Sequence, residues 1–444
     1  MRWLCILVVS TCFVANSAHA KKLRTTAPAA SETVSIVMVG DVGLNRSNLQ
    51  VDPKGILEGN GVLTWSELTA EIKSLVDGTF NFMNLETVVT DRNDLRPGNK
   101  RQKTPYLFRS HPVGVAHLLD LGFNLVSAAN NHAYDYGEEG AKETVKHMRR
   151  LTSSRPGTVV TGIGLNYDEA AKPALVKSRG VSLVFSSIGI VTNMLTFHRA
   201  GPDKAGTLGF RHAQDWKRSV DELVASSGDL KMLSVHYGTE RDIRTDERQR
   251  SAWRAAIDQG VDMVVGHHAH VVRGVELHKG KPIFYGLGNF LIRGAANMGK
   301  KPELRTWGDY GLLAKAHFAP SRVGYQLAAI EVIPVFDMHR VAHRLPPKEA
   351  ARRVEVLNVL AEALDDPANQ SQGVRFEVQA DGSGLYCAPS EGGAIDKLCG
   401  HWGGPTEPSA DVRRRVRAAP DPKNKPKAHK KRKRKRQRRR GKRR

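Results

Sequence analysis

Cysteine is scarce in this chain of 444 residues, which contains only four. Cys5 and Cys12 lie within the first 20 residues, whereas Cys387 and Cys399 lie close together towards the other end of the chain. No pair has the C-x-x-C spacing of a dithiol redox motif, so that class of chemistry is excluded. In an oxidising compartment Cys387 and Cys399 form an even pair, and we expect a disulfide between them.

Long apolar segments are also lacking, because no stretch after residue 20 is apolar enough to span a bilayer. Residues 1–20 contain one arginine, a mostly apolar stretch from Trp3 to Ala15, and the small-residue sequence Ala18-His19-Ala20. This pattern is typical of a cleavable secretory signal. We therefore predict a signal peptide at residues 1–20 and a periplasmic or secreted protein. The alternative is a protein anchored in the membrane by an uncleaved N-terminal segment.

Acidic residues are nearly absent from the end of the chain. Residues 411–444 contain 20 Lys and Arg but two Asp, so they carry +18 of the total charge of +23. A segment of this composition cannot bury enough apolar surface to fold, and we predict a disordered basic tail. Behind a secretion signal, its expected partners are anionic cell-envelope polymers, including polysaccharides, or an anionic lipid surface. Nucleic acid is not expected as a partner, and a solvated tail without a specific partner is the alternative.

Short apolar segments alternate with segments of helical periodicity along most of the chain, which is the pattern of an α/β sheet protein. The chain has no internal repeat, so residues 34–335 are expected to form one domain after a polar linker at residues 21–33. Residues 336–410 are expected to form an extension packed on that domain. The predicted strands are 34–39, 80–83, 123–127, 158–161, 183–186, 230–235, 261–265, 282–285 and 374–378, and the predicted helices are 63–76, 112–121, 139–150, 246–258 and 348–364.

Polar side chains follow five of the predicted strands. Open α/β sheets place their sites at strand ends, and neutral imidazole binds borderline metals such as Zn, Mn and Fe. We therefore predict a metal-type active site at one edge of the sheet; the alternative is a set of surface histidines on loops. If the backbone stays extended after the strand at 261–265, its period of two puts His268 and His270 on the same side. The side chains at the five strand ends are Asp41; Glu86; Asn131 and His132; His236 and Glu240; and His267, His268 and His270.

Six motifs occur in a fixed order between about Ser35 and Val335: GDVGL, NLETVV, ANNHAYDYGEEG, HYGTE, GHHAHVVRGVE and IFYGLGNF. Together they resemble the CapA family of bacterial capsule-synthesis proteins, which are linked to poly-γ-glutamate and related to calcineurin-like metallophosphoesterases. The resemblance implies a four-layer αββα sandwich of the metallophosphoesterase type over residues 34–335, with loops at one edge forming the site.

The resemblance also implies roles for individual residues. His132 matches the histidine that protonates a leaving group, and Asp135 is suited to orient it. The implied cofactor is one or two divalent ions, with Mn, Fe or Zn favoured and Mg possible. The implied metal ligands are Asp41, Glu86, Asn131, His236, His268 and His270, and the implied substrate-binding residues are Asn130, Glu240 and Asn289.

One departure from the phosphoesterase pattern leaves two functions open. Those enzymes usually begin with Asp-x-His, but here Asp41 is followed by Val42 and Gly43, so one metal position lacks a histidine. The first function is a metal-dependent hydrolase or transferase that acts on an anionic envelope polymer such as poly-γ-glutamate. The second is a non-catalytic factor that binds or exports such a polymer through a degenerate metal site.

Overall fold

The computed structural model describes residues 33–45, 49–58, 61–100, 105–189, 196–293, 310–338, 340–389 and 395–420. The predicted signal peptide, residues 21–32 of the predicted linker and residues 421–444 of the predicted tail lie outside the described residues. Within the described part of the chain, no helix combines the length and the apolar character needed to cross a membrane.

The described residues form two large sheets and two small ones. Their strands are β1 (Val34–Gly43), β2 (Gly55–Glu58), β3 (Gly61–Thr64), β4 (Phe80–Leu85), β5 (Val88–Val89), β6 (Arg109–Ser110), β7 (Leu125–Ser127), β8 (Val159–Thr161), β9 (Ala174–Ser178), β10 (Val181–Ile188), β11 (Leu230–His236), β12 (Met263–His267), β13 (Val275–His278), β14 (Lys281–Phe284), β15 (Asn289–Ile292), β16 (Gly311–Ser321), β17 (Gly324–Phe336), β18 (His343–Arg344), β19 (Ser371–Gly373), β20 (Glu377–Val378) and β21 (Gly384–Cys387).

The α-helices lie mostly between parallel strands. They are α1 (Trp65–Thr69), α2 (Pro112–Asp120), α3 (Gly137–Ser153), α4 (Tyr167–Ala171), α5 (Ala213–Ala225), α6 (Glu247–Asp258), α7 (Pro347–Ala361), α8 (Asp396–Cys399) and α9 (Ala410–Arg417). Short 3₁₀ turns occur at Lys73–Leu75, Thr196–His198, Glu362–Leu364 and Pro367–Asn369.

Each large sheet has a parallel centre. The first sheet has the order β20-β21-β17-β16-β1-β4-β7-β8, with β15 also paired to β1 and β18 to β17. In this sheet β1, β4, β7, β8 and β15 run parallel, and β16 and β17 are antiparallel additions. The second sheet has the order β19-β13-β14-β12-β11-β10-β9, in which β10, β11, β12 and β14 run parallel. Parallel strands end at a common edge, so each sheet has one carboxyl edge on which loops can meet.

The two sheets pack face to face, with helices on both outer faces. Ile36 of β1 lies in the core shared by the sheets, while its neighbour Val37 faces the cluster that contains residues of α2 and α3. The rings of Phe82 in β4 and Phe185 in β10 meet across this shared core with centroids 5.6 Å apart. The outer face of the second sheet packs on α5 and α6, whose Trp253 is fully buried. The four-layer αββα sandwich expected from the resemblance is therefore confirmed.

The helix predicted at 63–76 is wrong. Thr64 ends β3 and caps α1, because its hydroxyl accepts from the amide of Glu67 and the Glu67 side chain accepts from the amide of Thr64. The helix then ends at Thr69, and a separate 3₁₀ turn follows at Lys73–Leu75. Leu68 and Ile72 are still buried in the core. The apolar spacing therefore identified buried residues correctly, although the segment forms two short elements rather than one helix.

The region after residue 335 adds to both sheets. β21 pairs with β17 in the first sheet, and β19 pairs with β13 in the second. A disulfide joins Cys387 of β21 to Cys399 of α8. The predicted one-sided helix at 348–364 corresponds to α7 followed by a 3₁₀ turn.

The tail predicted to be disordered from residue 411 contains a folded part. The helix α9 buries Val412 completely, and Val416 and Ala419 pack on the same apolar cluster as Val412. The prediction of disorder is wrong for residues 411–417, because these apolar residues recur at helical spacing within a run of arginines. Burial of one valine contributes about 1.5–3 kcal/mol, enough to hold a short peripheral helix in place.

Candidate metal centre

Asp41 lies near the carboxyl end of β1 with an asparagine on each neighbouring parallel strand. It is in register with Asn84 of β4 and Asn289 of β15, and Asn84 Nδ2 donates to Asp41 Oδ1 at 2.8 Å. The backbone amide of Asp41 donates to the carbonyl oxygen of Gly288 at 3.0 Å. Gly40 permits this close approach, since a Cβ at that position would lie 2.2 Å from the same oxygen. The Asp41 carboxylate is thus held, fully buried, at the edge of the first sheet.

The histidines come from the second sheet. His236 ends β11 and His267 ends β12, and the two are in register. At this edge the two sheets meet, because His236 Nε2 lies 3.3 Å from Glu86 Oε1 and His270 Nδ1 lies 3.2 Å from Asp41 Oδ2. Carboxylates from the first sheet therefore face imidazoles from the second.

At this edge, two groups of three side chains have the geometry to hold a metal ion. One consists of Glu86, His236 and His268, and the other of Asp41, Glu86 and His270; within each group the ligand atoms lie within 4.8 Å of one another. Both carboxylate oxygens of Glu86 are buried and have no hydrogen-bond partner among the described residues. Burying a carboxylate without hydrogen bonds is costly, so this observation fits cations on either side of Glu86. The donor set therefore suits one or two divalent ions, with Glu86 common to both positions.

Asn131 reaches the first of these groups from the loop after β7. Its Oδ1 lies 2.7 Å from His236 Nε2. This is the same nitrogen that faces Glu86, so all six predicted ligands converge on one place. An amide oxygen is a neutral donor that adds to the mixed nitrogen and oxygen set.

The turn that carries His268 and His270 has an unusual backbone. Both residues have left-handed φ angles, +84° and +54° respectively. The extended backbone expected after this strand is therefore wrong, and the two rings reach the site from a turn instead. Left-handed non-glycine residues cost on the order of 1–3 kcal/mol each. Contacts offset this cost, since the amide of His268 donates to Asp41 Oδ2 at 3.4 Å and the carbonyl of Ala269 accepts from the amide of Arg241 at 2.8 Å.

The protonation of the carboxylates is governed by burial and by the histidines. Burial raises the pKa of Asp41, but hydrogen bonds to His267 and His270 outweigh it and hold that pKa well below its usual value. Burial and the neighbouring charge of Asp41 raise the pKa of Glu86 well above its usual value. Burial lowers the pKa of His270, yet the charge of Glu86 and the contact with Asp41 raise it to about 10. A proton on His270 thus offsets carboxylate charge, which is the role a bound cation would take over.

The other two ligand histidines are held in the neutral form. Burial, followed by the charge of His268, lowers the pKa of His236 well below its usual value. Burial and the charge of His270 lower the pKa of His268 to about 3. Neutral imidazole is the form that ligates metals, so both rings are prepared to bind.

His132 stands beside the ligand groups and is held by a buried ion pair. Its Nδ1 lies 2.6 Å from Asp135 Oδ2, and its Nε2 lies 3.8 Å from Glu86 Oε1. Lys100 Nζ lies 2.5 Å from Asp135 Oδ1, and the amide of Phe108 donates to Asp135 Oδ2 at 2.5 Å. Burial lowers the pKa of His132, whereas His132 and Lys100 lower the pKa of Asp135 against the effect of burial. The result is a neutral ring whose Nε2 faces the candidate metal positions.

The three predicted substrate-binding residues lie in different surroundings. Asn130 is buried, where its Nδ2 donates to the carbonyl of Leu85 at 2.9 Å and its Oδ1 accepts from the amide of His132 at 3.1 Å. Asn289 Oδ1 lies 2.8 Å from His270 Nδ1. Glu240 is exposed on the loop after β11. Contact of these residues with a substrate stays a prediction.

Sequence reasoning missed three residues of the site. Asn84 links the two sheets, because its Nδ2 reaches both Asp41 and His236 Nδ1, the latter at 3.1 Å. Lys100 pairs with Asp135. His267 was noticed but not assigned as a ligand, and its Nδ1 lies 3.4 Å from Asp41 Oδ1. A signal existed for Asn84, which stands two residues before Glu86 on the same strand end, but none existed for Lys100 in its polar loop.

Residues 35–293 match the model of a family described as bacterial capsule synthesis protein PGA_cap. The chain belongs to this family. The match confirms the resemblance inferred from the six motifs, all of which lie within the matched range.

Individual relatives agree with this assignment. The chain is 27% identical over 280 residues to the PGA biosynthesis protein CapA of Bacillus subtilis, a match that covers 63% of this chain and 67% of that protein. It is 28% identical over 180 residues to the capsule biosynthesis protein CapA of Bacillus anthracis, covering 40% of this chain and 42% of that protein. It is 29% identical over 238 residues to a probable polyglutamine synthesis accessory protein of Mycobacterium tuberculosis, covering 51% of this chain and 58% of that protein. The chain therefore spans less than two thirds of the last two relatives.

Similar solved structures include two bacterial proteins of low sequence identity. A hypothetical protein from Thermus thermophilus is 16% identical with a TM-score of 0.37, over 68% of this chain and 98% of that chain. The calcineurin-like phosphoesterase YfkN from Bacillus subtilis is 11% identical with a TM-score of 0.39, over 68% of this chain and 90% of that chain.

Proposed function

We propose that this protein is a metal-dependent hydrolase or transferase that acts on an anionic cell-envelope polymer, poly-γ-glutamate or a related chain, during capsule synthesis. The observation that carries the proposal is the shared carboxylate of Glu86, which has no hydrogen-bond partner among the described residues, with a ligand group on each side and His132 Nε2 facing it. An ion pair with a purely structural role does not require two groups of metal-type donors, nor a neutral histidine such as His132 held in a fixed orientation beside them.

The ligand groups point to a borderline divalent ion. The first group offers two imidazoles and a carboxylate, and the second offers two carboxylates and one imidazole. Such mixed donors favour Mn, Fe or Zn over Ca. When bound, the ion supplies Lewis-acid polarisation of the bond that reacts.

His132 has the position of a general acid or base. Its Nδ1 is occupied by Asp135, which fixes the ring and leaves Nε2 free to exchange a proton with a reacting group. The ion pair between Lys100 and Asp135 keeps the carboxylate ionised, so the proton on Nδ1 has a permanent acceptor. Proton transfer therefore occurs at Nε2, on the side of the ring that faces the ligand groups.

Metal content of the purified protein is the first test. After loading with Mn, Fe and Zn in turn, the full-length protein should carry near-stoichiometric metal, measured by mass spectrometry of the elements. His268→Ala should lower this content strongly, because it removes one of three donors in its group. His401→Ala, at an exposed histidine outside the centre, serves as the control and should change nothing. Background metal in the unmodified protein would refute the metal centre.

A non-catalytic polymer-binding factor is the second candidate function, and one observation favours it. Gly43 provides no side chain where the phosphoesterase pattern has a histidine, so the group of Asp41, Glu86 and His270 has a single imidazole. In this alternative the ion holds the loops or the polymer in place without turnover.

The variant His132→Ala separates the two candidates. If the centre is catalytic, the variant keeps its metal but loses about 10²–10⁴-fold in the rate of polymer cleavage or transfer, because a general acid or base contributes that much. The measurement is the change in poly-γ-glutamate chain length with time for both proteins loaded with the same metal. Full activity of the variant would remove His132 from the mechanism, and no turnover by the loaded unmodified protein would favour the binding factor.

A further inference from the structure

A third group of donor side chains lies outside the metal centre. It consists of Asp91, in the loop after β5, together with Glu143 and His147 of α3, and its ligand atoms lie within 4.8 Å of one another. Glu143 and His147 stand four residues apart, so both lie on one face of the helix, the spacing that zinc-binding helices use. Both are buried, whereas Asp91 is exposed. The group therefore combines a fixed pair of donors with an opening to solvent.

The distances within this group are long for charge-assisted hydrogen bonds. His147 Nε2 lies 3.3 Å from Glu143 Oε2 and 3.5 Å from Asp91 Oδ1. Bonds between a charged nitrogen donor and a carboxylate oxygen usually measure about 2.7–2.9 Å. Elsewhere in the described chain, nitrogen–oxygen distances of 2.6, 2.7 and 3.0 Å occur in the pairs His132–Asp135, His317–Glu331 and His278–Asp258. A strong hydrogen bond therefore does not account for the spacing around His147.

The same spacing is found where the ligands of the metal centre face one another. There His236 Nε2 lies 3.3 Å from Glu86 Oε1. His270 Nδ1 lies 3.2 Å from Asp41 Oδ2. Four-coordinate zinc binds nitrogen and oxygen at about 2.0–2.2 Å, so two donors on one edge of its tetrahedron lie about 3.3–3.5 Å apart. The nitrogen of His147 and its two carboxylate neighbours thus have the separation of donors around a single ion.

The other contacts of the group leave its donor atoms available. Lys146 Nζ binds Glu143 Oε1 at 3.0 Å, so the lysine takes one oxygen of this carboxylate and leaves Oε2 beside His147. Thr90 Oγ1 donates to Glu143 Oε2 at 3.3 Å and helps to hold it in place. His147 Nδ1 is buried and has no hydrogen-bond partner among the described residues, so the ring meets polar neighbours through Nε2. An ion would therefore bind Nε2 of His147, Oε2 of Glu143 and Oδ1 of Asp91.

We propose that Asp91, Glu143 and His147 form a second metal site, which takes a four-coordinate divalent ion of the zinc class with water in the fourth position. One imidazole and two carboxylates are donors that such borderline ions accept. The site does not depend on the proposed function, because it shares no ligand with the metal centre.

The place of this site in the fold indicates a structural role. The loop of Asp91 follows the strand end that carries Glu86, and α3 begins directly after the loop of His132 and Asp135. The amide of Val89 already donates to Thr144 Oγ1 of α3 at 3.0 Å. An ion here joins the two stretches of chain that leave the metal centre, and so braces α3 against the loop after β5.

Zinc titration of the full-length protein by calorimetry tests the proposal. The second site should bind more weakly than the buried centre, since Asp91 is exposed and Lys146 competes for Glu143. The unmodified protein should therefore bind one further zinc ion at concentrations above those that fill the centre. The variant Glu86→Gln, which impairs the centre, should keep this weaker class of binding.

Two variants remove donors of the second site. His147→Ala should weaken its zinc binding by more than about 100-fold and Asp91→Asn by more than about tenfold, since loss of a residue that only contacts a ligand already costs about 10–100-fold. The matched control is His317→Ala, which removes another histidine paired with a glutamate, at 2.7 Å, and should keep the weaker class. Thermal unfolding without metal checks each fold; Asp91→Asn alters an exposed side chain and carries the test if His147→Ala does not fold.

Hydrogen exchange locates the ion without any need for turnover. In Glu86→Gln, zinc at 100 times the dissociation constant of the second site should slow exchange at residues 88–92 and 140–148 by up to about 100-fold, because openings that release the ion become rarer by that factor. Zinc binding that is unchanged in both donor variants, or protection that falls outside these residues, would overturn the proposal. So would loss of the weaker class in His317→Ala, which would assign it to histidine–carboxylate pairs in general. A protein that keeps the weaker class but binds no metal at the centre would retain this site and lose the proposed function.

Discussion

The two halves of the metal centre are built in different ways. The oxygen donors Asp41 and Glu86 sit at or directly after the ends of β1 and β4, parallel strands of the first sheet whose register is irregular at Asp41. The nitrogen donors His268 and His270 sit in a turn with left-handed backbone beyond a strand of the second sheet. Asp41, Glu86 and His236 are therefore placed by the ends of strands, whereas His268 and His270 are placed by a strained turn that its surroundings must hold.

Neither half is a site without the other, and the shared core sets their separation. The ring of Phe82 in the first sheet packs on Phe185, and also on His267 with centroids 5.3 Å apart. Close packing leaves little freedom for one sheet to slide over the other. The core thus fixes the distance between carboxylates and imidazoles, which is what a metal ion requires.

The largest effect should come from Glu86, the one donor common to both ligand groups. Glu86→Gln keeps the shape of the side chain but removes the charge. The metal affinity of both groups should fall by more than about 100-fold, because loss of a residue that only contacts a ligand already costs up to about 100-fold. At a metal concentration 100 times the dissociation constant, the unmodified protein should gain about 2.7 kcal/mol in unfolding free energy, and the variant should gain almost none. Denaturant unfolding with and without metal measures both.

The control for this variant is Glu71→Gln, which neutralises an exposed glutamate that belongs to neither ligand group. It should leave the stabilisation by metal unchanged. If metal stabilised Glu86→Gln as much as the unmodified protein, Glu86 would not be a ligand. The oxygen half would then lack the donor that both ligand groups share.

A smaller effect should follow from removing one donor of each half. Asp41→Asn weakens only the group with His270, and His236→Ala weakens only the group with His268, so each variant should retain the ion of the other group. Because His236→Ala leaves an oxygen-rich remainder, its bound metal should shift from Zn towards Mn or Mg. Elemental analysis after loading with an equimolar mixture of these ions reports the shift, and identical metal profiles for the two variants would contradict the division into two ligand groups.

The sequence predicted the oxygen half in detail because strand ends are local features. An apolar run that stops at Asp41, or shortly before Glu86, can be seen without knowing the fold. The three histidines were equally visible, but their left-handed turn was not, since the conformation depends on contacts with Asp41 and with the loop of Arg241. The structure brings these predicted ligands together, while the extended backbone expected for His268 and His270 was wrong.

Other features were missed because they depend on distant contacts. Lys100 lies 35 residues from Asp135 in the chain and pairs with it only when the loop folds back. The helix α9 was hidden by its arginines, which dominate the composition of the tail and mask Val412 and Val416. By contrast, β16 shows a period-two pattern, with Leu312 and Ala314 facing the shared core, and could have been found.

The smallest effect on the centre should come from the disulfide, which tests how far the first sheet is coupled to the metal. Cys387 lies in β21, separated from β1 by β17 and β16, and bonds to Cys399 twelve residues later. Cross-linking so short a loop stabilises a fold by about 3 kcal/mol through the unfolded chain, so a protein with both cysteines changed to serine should lose about that much unfolding free energy. Its metal content should stay that of the unmodified protein, because among the described strands β21 pairs with β17 and β20 and not with a strand that carries a ligand. Treatment with a reductant should produce the same loss in the unmodified protein and none in the variant. If metal were lost together with the disulfide, the edge of the sheet and the oxygen half would form one cooperative unit. The positions of the oxygen donors would then depend on the distant edge of the sheet as well as on the pairing of their own strands.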